Sequence, residues 1–216
     1  MNGWYLTGFA DGESYFIARP LIRKGKKGYY TVSYTFRWGI QVRGDEEEIL
    51  LQIKDYLDNN PYGSKGSMYY RKRKNDVSPQ VTLHYDGIQN AKVIREHFRE
   101  FPLQAKKKLD FMAWAEVFDK VEEYLQDSKF NYRYFGQYPI DILEKRVELA
   151  SLCDKVRVVR LNATSEMHDI SKKELLRQAG GQSKLYTEIL LDNFLASGQV
   201  TQDQHELLIT KYAVKI

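Results

Sequence analysis

The chain has 216 residues, 43% of them hydrophobic and 13% aromatic, with a net charge of +4. This length suits one ordinary domain with an appendage, and the composition excludes a disordered or fibrous chain. Residues 1–110 hold 19 Lys and Arg against 13 Asp and Glu, whereas residues 111–216 hold 14 against 16, so a polyanionic partner would bind the first half. The single cysteine, Cys153, excludes an internal disulfide and a cysteine-based zinc site, and its apolar helical setting points to a buried, inert thiol. No signal peptide or membrane-length apolar run stands in the sequence, so a soluble protein of a reducing compartment is expected.

In chain order, Trp4, Tyr5, Leu6, Phe9 and Ala10 predict a short helix over residues 4–12. Gly8 and Gly12 stand four apart on one side of it. Small residues at that spacing let two helix backbones approach closely, although two glycines weaken an isolated helix. Asp11 and Glu13 then sit at a helix C-terminus, whose partial negative charge opposes carboxylates.

The pattern next changes to period two. "SYFIARP" reads as a strand joined through the basic loop "RKGKKG" to "YTVSYTFRWGIQVR", residues 30–43. The even positions of the latter are apolar (Tyr30, Val32, Tyr34, Phe36, Trp38, Ile40, Val42) and the odd ones polar or basic, apart from Gly39. "DEEEILLQIKDYLDN" is an amphipathic helix with acids in its first turn, where the dipole favours them. "GSMYYRKRK" and "PQVTLHY" form a second strand pair, and two helices follow, "NAKVIREHFREF" and "KKLDFMAWAEVFDKVEEYL", flanking Pro102. Residues 128–138 read as a loop before the helix "PIDILEKRVELASLCDKV". From about Asn162 the tail reads as small helices broken at Gly180-Gly181 and Gly198, either a helix-turn-helix-like module or a packing and dimer-bracing element.

The order αββαββα is that of an α+β fold, an antiparallel sheet with helices on one face. Its other face carries Arg19, Arg37, Gln41, Arg43, Arg71 and Arg73 at alternating positions, with Arg23 and Lys24 at the basic loop. Such a face suits a nucleic-acid groove. His84 lies opposite Leu83 and Tyr85, as a polar groove contact rather than a metal ligand. Close pairing of two first helices would bring two copies of Glu13 together beside that face. Carboxylates next to phosphates call for a cation between them, and magnesium is typically held by one or two carboxylates plus phosphate oxygens. Metal-assisted phosphodiester hydrolysis follows from that chemistry.

"LTGFADGES" resembles the motif of the LAGLIDADG homing endonucleases, with Glu13 at the position of the final, metal-binding acid. "VRGDEEEILLQIKDYL" and "FPLQAKKKLDF" resemble the second-helix and post-sheet segments of that family, over roughly residues 3–155. The resemblance implies that Glu13 binds the catalytic metal, Mg2+ or Mn2+, with help from the Gly12 carbonyl. Gly8 and Gly12, with Leu6 and Phe9, would line the helix pair, and Asp11 would be structural. A basic residue near the scissile phosphate falls at Lys106, with Lys107 beside it. One departure stands out: the polar, water-positioning residue of some relatives falls on Gly44 or Asp45, leaving Gln41 or Arg43 as substitutes.

The motif occurs once, so the second acid would come from a second chain, and the target of such a two-fold homodimer should be a pseudo-palindrome. The expectation is therefore a magnesium-dependent, site-specific double-strand DNA endonuclease. The alternative is a non-cleaving nucleic-acid binder on the same scaffold, an intron RNA maturase or a transcription regulator. The endonuclease domain would span residues 1–158 and a helical C-terminal extension residues 159–216. Its setting would be intracellular: a bacterial or phage-encoded cytoplasm, or an organelle, with no membrane partner.

Overall fold

The computed structural model describes residues 1–71, 79–168 and 184–214, with the side chains of 160–168 outside that description. Arg73 and Gly180-Gly181 lie outside the described residues. Helix α1 spans Gly3–Glu13, capped at its start by Asn2, whose side chain accepts from the Tyr5 N–H at 2.8 Å. Its end is fixed by buried Ser14, whose backbone N–H and Oγ both donate to the Ala10 carbonyl.

Strands β1 (Ser14–Lys24) and β2 (Tyr30–Arg43) follow, then a 3-10 turn at Gly44–Glu46 and helix α2 (Glu47–Asp58). Strands β3 (Ser67–Arg71) and β4 (Gln80–Asp86) complete one sheet of order β1-β2-β4-β3, in which β4 is antiparallel to both neighbours. β1 runs four residues further than "SYFIARP", because the reversal needs only residues 25–29. There the Gly28 N–H donates to the Gly25 carbonyl, and Gly28 takes φ +87°.

Helices α3 (Ile88–Glu100) and α4 (Lys107–Leu125) come next, then the single turn α5 (Ser128–Asn131) inside the stretch expected as a loop. Helix α6 (Ile140–His168) continues unbroken through residue 158, and α7 (Tyr186–Ala196) and α8 (Gln202–Tyr212) end the described chain. The break between the last two falls at Gly198, with φ +70°.

The chain divides into two compact units, one of residues 1–17 and 35–115 and one of residues 18–34 and 116–216. In the first, Phe36, Trp38, Ile40 and Val42 of β2 point into the core, as the alternation demands. Each such apolar side chain contributes about 1.5–3 kcal/mol on full burial. Leu6, Phe16, Leu50, Ile53, Leu83, Phe98 and Trp114 are wholly buried in the same unit or nearly so, with Phe36 edge-on to Trp114 and Trp38 edge-on to Phe98. In the second unit α6 packs against α7 and α8, and Cys153 is fully buried, which pushes its thiol pKa up.

Candidate nucleic-acid interface and helix-end acid

Helix α1 has two unlike faces. Gly3, Leu6, Thr7 and Ala10 are buried, with Thr7 Oγ1 donating to the Phe101 carbonyl at 2.8 Å. Trp4, Tyr5, Gly8 and Gly12 are exposed and Phe9 is half-buried. Trp4 keeps 56% and Tyr5 55% of their surface, a high exposure for aromatics on a helix that otherwise packs inward. A Cβ added at Gly8 or Gly12 would meet nothing within 4 Å. Of the residues expected to line a helix pair, Gly8, Gly12 and Phe9 therefore share the outer side, whereas Leu6 is fully buried in the chain's own core.

Glu13 is the last residue of α1 and is exposed. The last four carbonyls of a helix lack intrahelical partners, and Gly12 is among them. A carboxylate and a carbonyl are both hard oxygen donors of the kind magnesium and calcium take. Among the described residues no group of three or more His, Cys, Asp or Glu could hold a metal. One chain thus offers one acid at this point, and the donor set fits a divalent cation once a second carboxylate and phosphate oxygens are added.

Asp11 does different work. Its carboxylate accepts from the backbone N–H groups of Gln104 (2.9 Å) and Ala105 (3.2 Å). These charge-assisted bonds tie the segment before α4 to the end of α1, and so offset the unfavourable dipole there. The basic run begins one residue later. Lys106 is exposed and has no ion-pair partner among the described residues, while Lys107 pairs with Asp110 at 3.5 Å. Lys106 is therefore the one of the two left available to a phosphate.

The open face of the sheet is built by register. Arg43 stands opposite Gln80 and Gln80 opposite Arg71, a row of three polar side chains across β2, β4 and β3. Gln41, Thr82 and Tyr69 form the next row, then Gly39, His84 and Ser67, then Arg37 and Asp86. Two of the arginines are already engaged. Arg37 makes a two-pronged pair with Asp86, at 2.5 and 3.0 Å, which holds its guanidinium pKa above the usual value. Arg43 pairs with Asp45 at 2.9 Å, with both side chains more than half exposed. An exposed pair such as Arg43–Asp45 is worth only about 0–1 kcal/mol, so a phosphate can displace its carboxylate, whereas the half-buried, two-pronged Arg37–Asp86 pair is held more firmly. Asp45 is thereby occupied, and Gly44 is pinned by its N–H to the Pro79 carbonyl at 2.6 Å. In the other unit Arg19, Arg23 and Lys24 are exposed on β1.

The alternation of β2 shows Gly39 only as a gap, and the structure explains it. The Tyr15 hydroxyl on β1 reaches over β2 to His84 Nε2 on β4, at 2.6 Å. A Cβ at Gly39 would stand 2.6 Å from that hydroxyl and 2.9 Å from His84 Cδ2. From the neighbouring row Tyr69 lies against it, its ring 4.8 Å from that of His84. Burial, then Arg37, hold the His84 pKa below its usual value, so this row is neutral at pH 7 amid the arginines. Gly39→Ala is expected to break the Tyr15–His84 bond and cost about 1–3 kcal/mol of stability, read as a lower denaturant midpoint. Trp4, Tyr5, Tyr15, Tyr69, Gln80 and Thr82 are the residues of these faces that strand and helix patterns did not single out.

The model of the LAGLIDADG endonuclease family matches residues 6–118, just over half of the chain. A curated relative, described as an uncharacterized 50.9 kDa protein in ND4 intron 1 of Podospora anserina, is 24% identical over 119 residues, 54% of this chain. The chain spans about a quarter, 24%, of that relative's length. Among solved structures, the LAGLIDADG meganuclease I-CpaMI bound to uncleaved DNA aligns with 70% of this chain and 45% of its own, at 23% identity and TM-score 0.46. I-SmaMI bound to an uncleaved DNA target with calcium ions aligns with 84% and 49%, at 21% and TM-score 0.48. The homing endonuclease I-TnaI aligns with 82% and 95%, at 19% and TM-score 0.43. With its motif at the end of α1 and the family model running from that helix to α4, the chain belongs to the LAGLIDADG endonuclease family.

Proposed function

We propose that this protein is a homodimeric homing endonuclease that cuts double-stranded DNA at a pseudo-palindromic site with a divalent metal ion, magnesium or manganese. The observation that carries the reading is the end of α1. An exposed carboxylate, Glu13, ends a helix whose outer face bears two unfilled glycines and two exposed aromatics. Pairing that face with its copy buries the aromatics and sets two Glu13 side chains beside each other. The bound cation would neutralise charge on the scissile phosphate and lower the pKa of a water molecule. Glu13 and the Gly12 carbonyl would hold it, and Lys106, kept next to the helix end by the Asp11 tether, would sit against the phosphate.

The Arg43–Gln80–Arg71 row offers donors and acceptors of the kind that read base edges. Arg19 and Arg23 of β1 would likewise read bases, while Lys24 and the lysines of the loop would contact the backbone. Arg43 would exchange Asp45 for phosphate or base, and with the other basic residues this makes binding fall steeply with added salt. No helix among the described residues is long and apolar enough to cross a membrane. The test is incubation with a randomised duplex library in magnesium, beside a calcium control, with sequencing of any ends. Discrete cuts at one pseudo-palindrome in magnesium alone support the reading. Salt-sensitive enrichment of one sequence without cutting would turn it into a binder that keeps the scaffold and lacks the chemistry.

A further inference from the structure

Strand β2 extends beyond its partner β4. Pairing between them covers Arg37–Arg43, and Tyr30–Tyr34 lie outside that register. A projecting strand edge leaves backbone N–H and C=O groups unpaired, and buried ones need partners. Here side chains take the place of the missing strand. Gln199 accepts from the Tyr30 N–H at 2.6 Å through Oε1 and donates to the Tyr30 carbonyl at 2.9 Å through Nε2. Two residues on, Arg146 Nη1 donates to the Val32 carbonyl at 3.1 Å. The Tyr34 hydroxyl then donates back to the Arg146 carbonyl.

Gln199 is itself locked. It is fully buried, Ser197 Oγ donates to its Oε1 at 2.7 Å, and its carbonyl accepts from the Tyr138 N–H at 3.1 Å. Gly198, with φ +70°, turns the chain between α7 and α8 so that this amide faces the strand. The turn ahead of β2 is also held, with Tyr29 against Phe135 and Lys27 over the Phe135 ring at 5.5 Å. That turn carries Arg23, Lys24, Lys26 and Lys27 in five residues. By contrast, residues 186–212 hold one lysine against four acids, an unfavourable composition for a phosphate contact of their own.

We infer that the C-terminal helices act as a brace: Gln199, with Arg146, is a positioning residue that fixes the β1–β2 arm so that its basic residues read one block of the DNA target. This rests on the DNA-cleaving reading above. The site preference of wild type, Gln199→Leu, Gln199→Glu and Arg23→Ala is measured base pair by base pair on a library of single-substitution targets. In Gln199→Leu, discrimination is expected to fall by about tenfold, the scale of one lost base-pair preference. The loss is confined to the block that Arg23→Ala also relaxes, with cleavage of the cognate site at saturating DNA unchanged.

Gln199→Glu keeps the acceptor for the Tyr30 N–H but turns a carboxylate oxygen against its carbonyl, so the same block relaxes as well. It decides the question if the leucine variant does not fold. A wild-type profile in both variants, or a loss spread evenly over all positions, overturns the brace while leaving the nuclease intact. If the wild-type protein selects no site, the DNA-cleaving reading fails first and the brace falls with it.

Discussion

Glu13→Gln is expected to remove cleavage by at least about 10²–10³-fold, the usual cost of deleting one preorganised stabilising group, while DNA affinity in calcium stays near that of wild type. Gln has the size and shape of Glu, and Glu13 is exposed with no partner to lose among the described residues, so the fold should be untouched. The charge is what disappears. An amide oxygen is a weaker donor to a hard cation than a carboxylate, and the scissile phosphate would keep its repulsion toward any incoming hydroxide. On the proposed function affinity would be set elsewhere, by the arginine rows and the basic arm, so removing one negative charge near phosphates should raise binding slightly. Thermal unfolding, a binding isotherm in calcium and single-turnover cleavage in magnesium separate these effects. A Glu13→Gln protein that still cuts at wild-type rate would move the chemistry to another residue.

The difference between Glu13 and Asp11 shows how far pattern reading reaches. Both acids were visible in "LTGFADGES", and both stand where the helix dipole opposes them. Local spacing cannot tell them apart, because the distinction is made by Gln104 and Ala105, more than ninety residues away. The core was legible for the opposite reason. Burial on β2 follows the two-residue period of its own sequence, so Phe36, Trp38, Ile40 and Val42 needed no distant partner to be placed. Gly39 and Gln199 were opaque, since each answers to a contact across strands or between segments far apart in sequence. Leu6 shows the limit on a helix: apolar residues ring α1, and only the packing of Thr7 and Ala10 inward reveals that Leu6 joins them while Trp4 and Tyr5 stay outside.

Gly8→Leu is expected to turn the protein into a well-folded monomer that does not cut both strands. Two opposing effects make this a sharp test. Within the chain a Cβ at Gly8 meets nothing within 4 Å, so the substitution carries no clash. Replacing a mid-helix glycine also gains about 0.8–1.0 kcal/mol of helix stability on the alanine scale, and leucine is close to alanine. The isolated chain should therefore unfold at a higher denaturant concentration than wild type under conditions where both are monomeric. Between two chains the sign reverses. A helix pair close enough to use Gly8 and Gly12 leaves no room for a leucine, and it must separate by more than a methylene's width. Light scattering at micromolar concentration would then report a monomer, and cleavage of a supercoiled plasmid would yield no linear product. Gly12→Leu should behave alike, because it lies on the same side one turn on and also faces open space. A surface glycine with no pairing role would show only the gain in stability. A Gly8→Leu dimer with intact cleavage would place the two-fold axis on some other face and leave the exposed surfaces of Trp4 and Tyr5 outside the dimer contact.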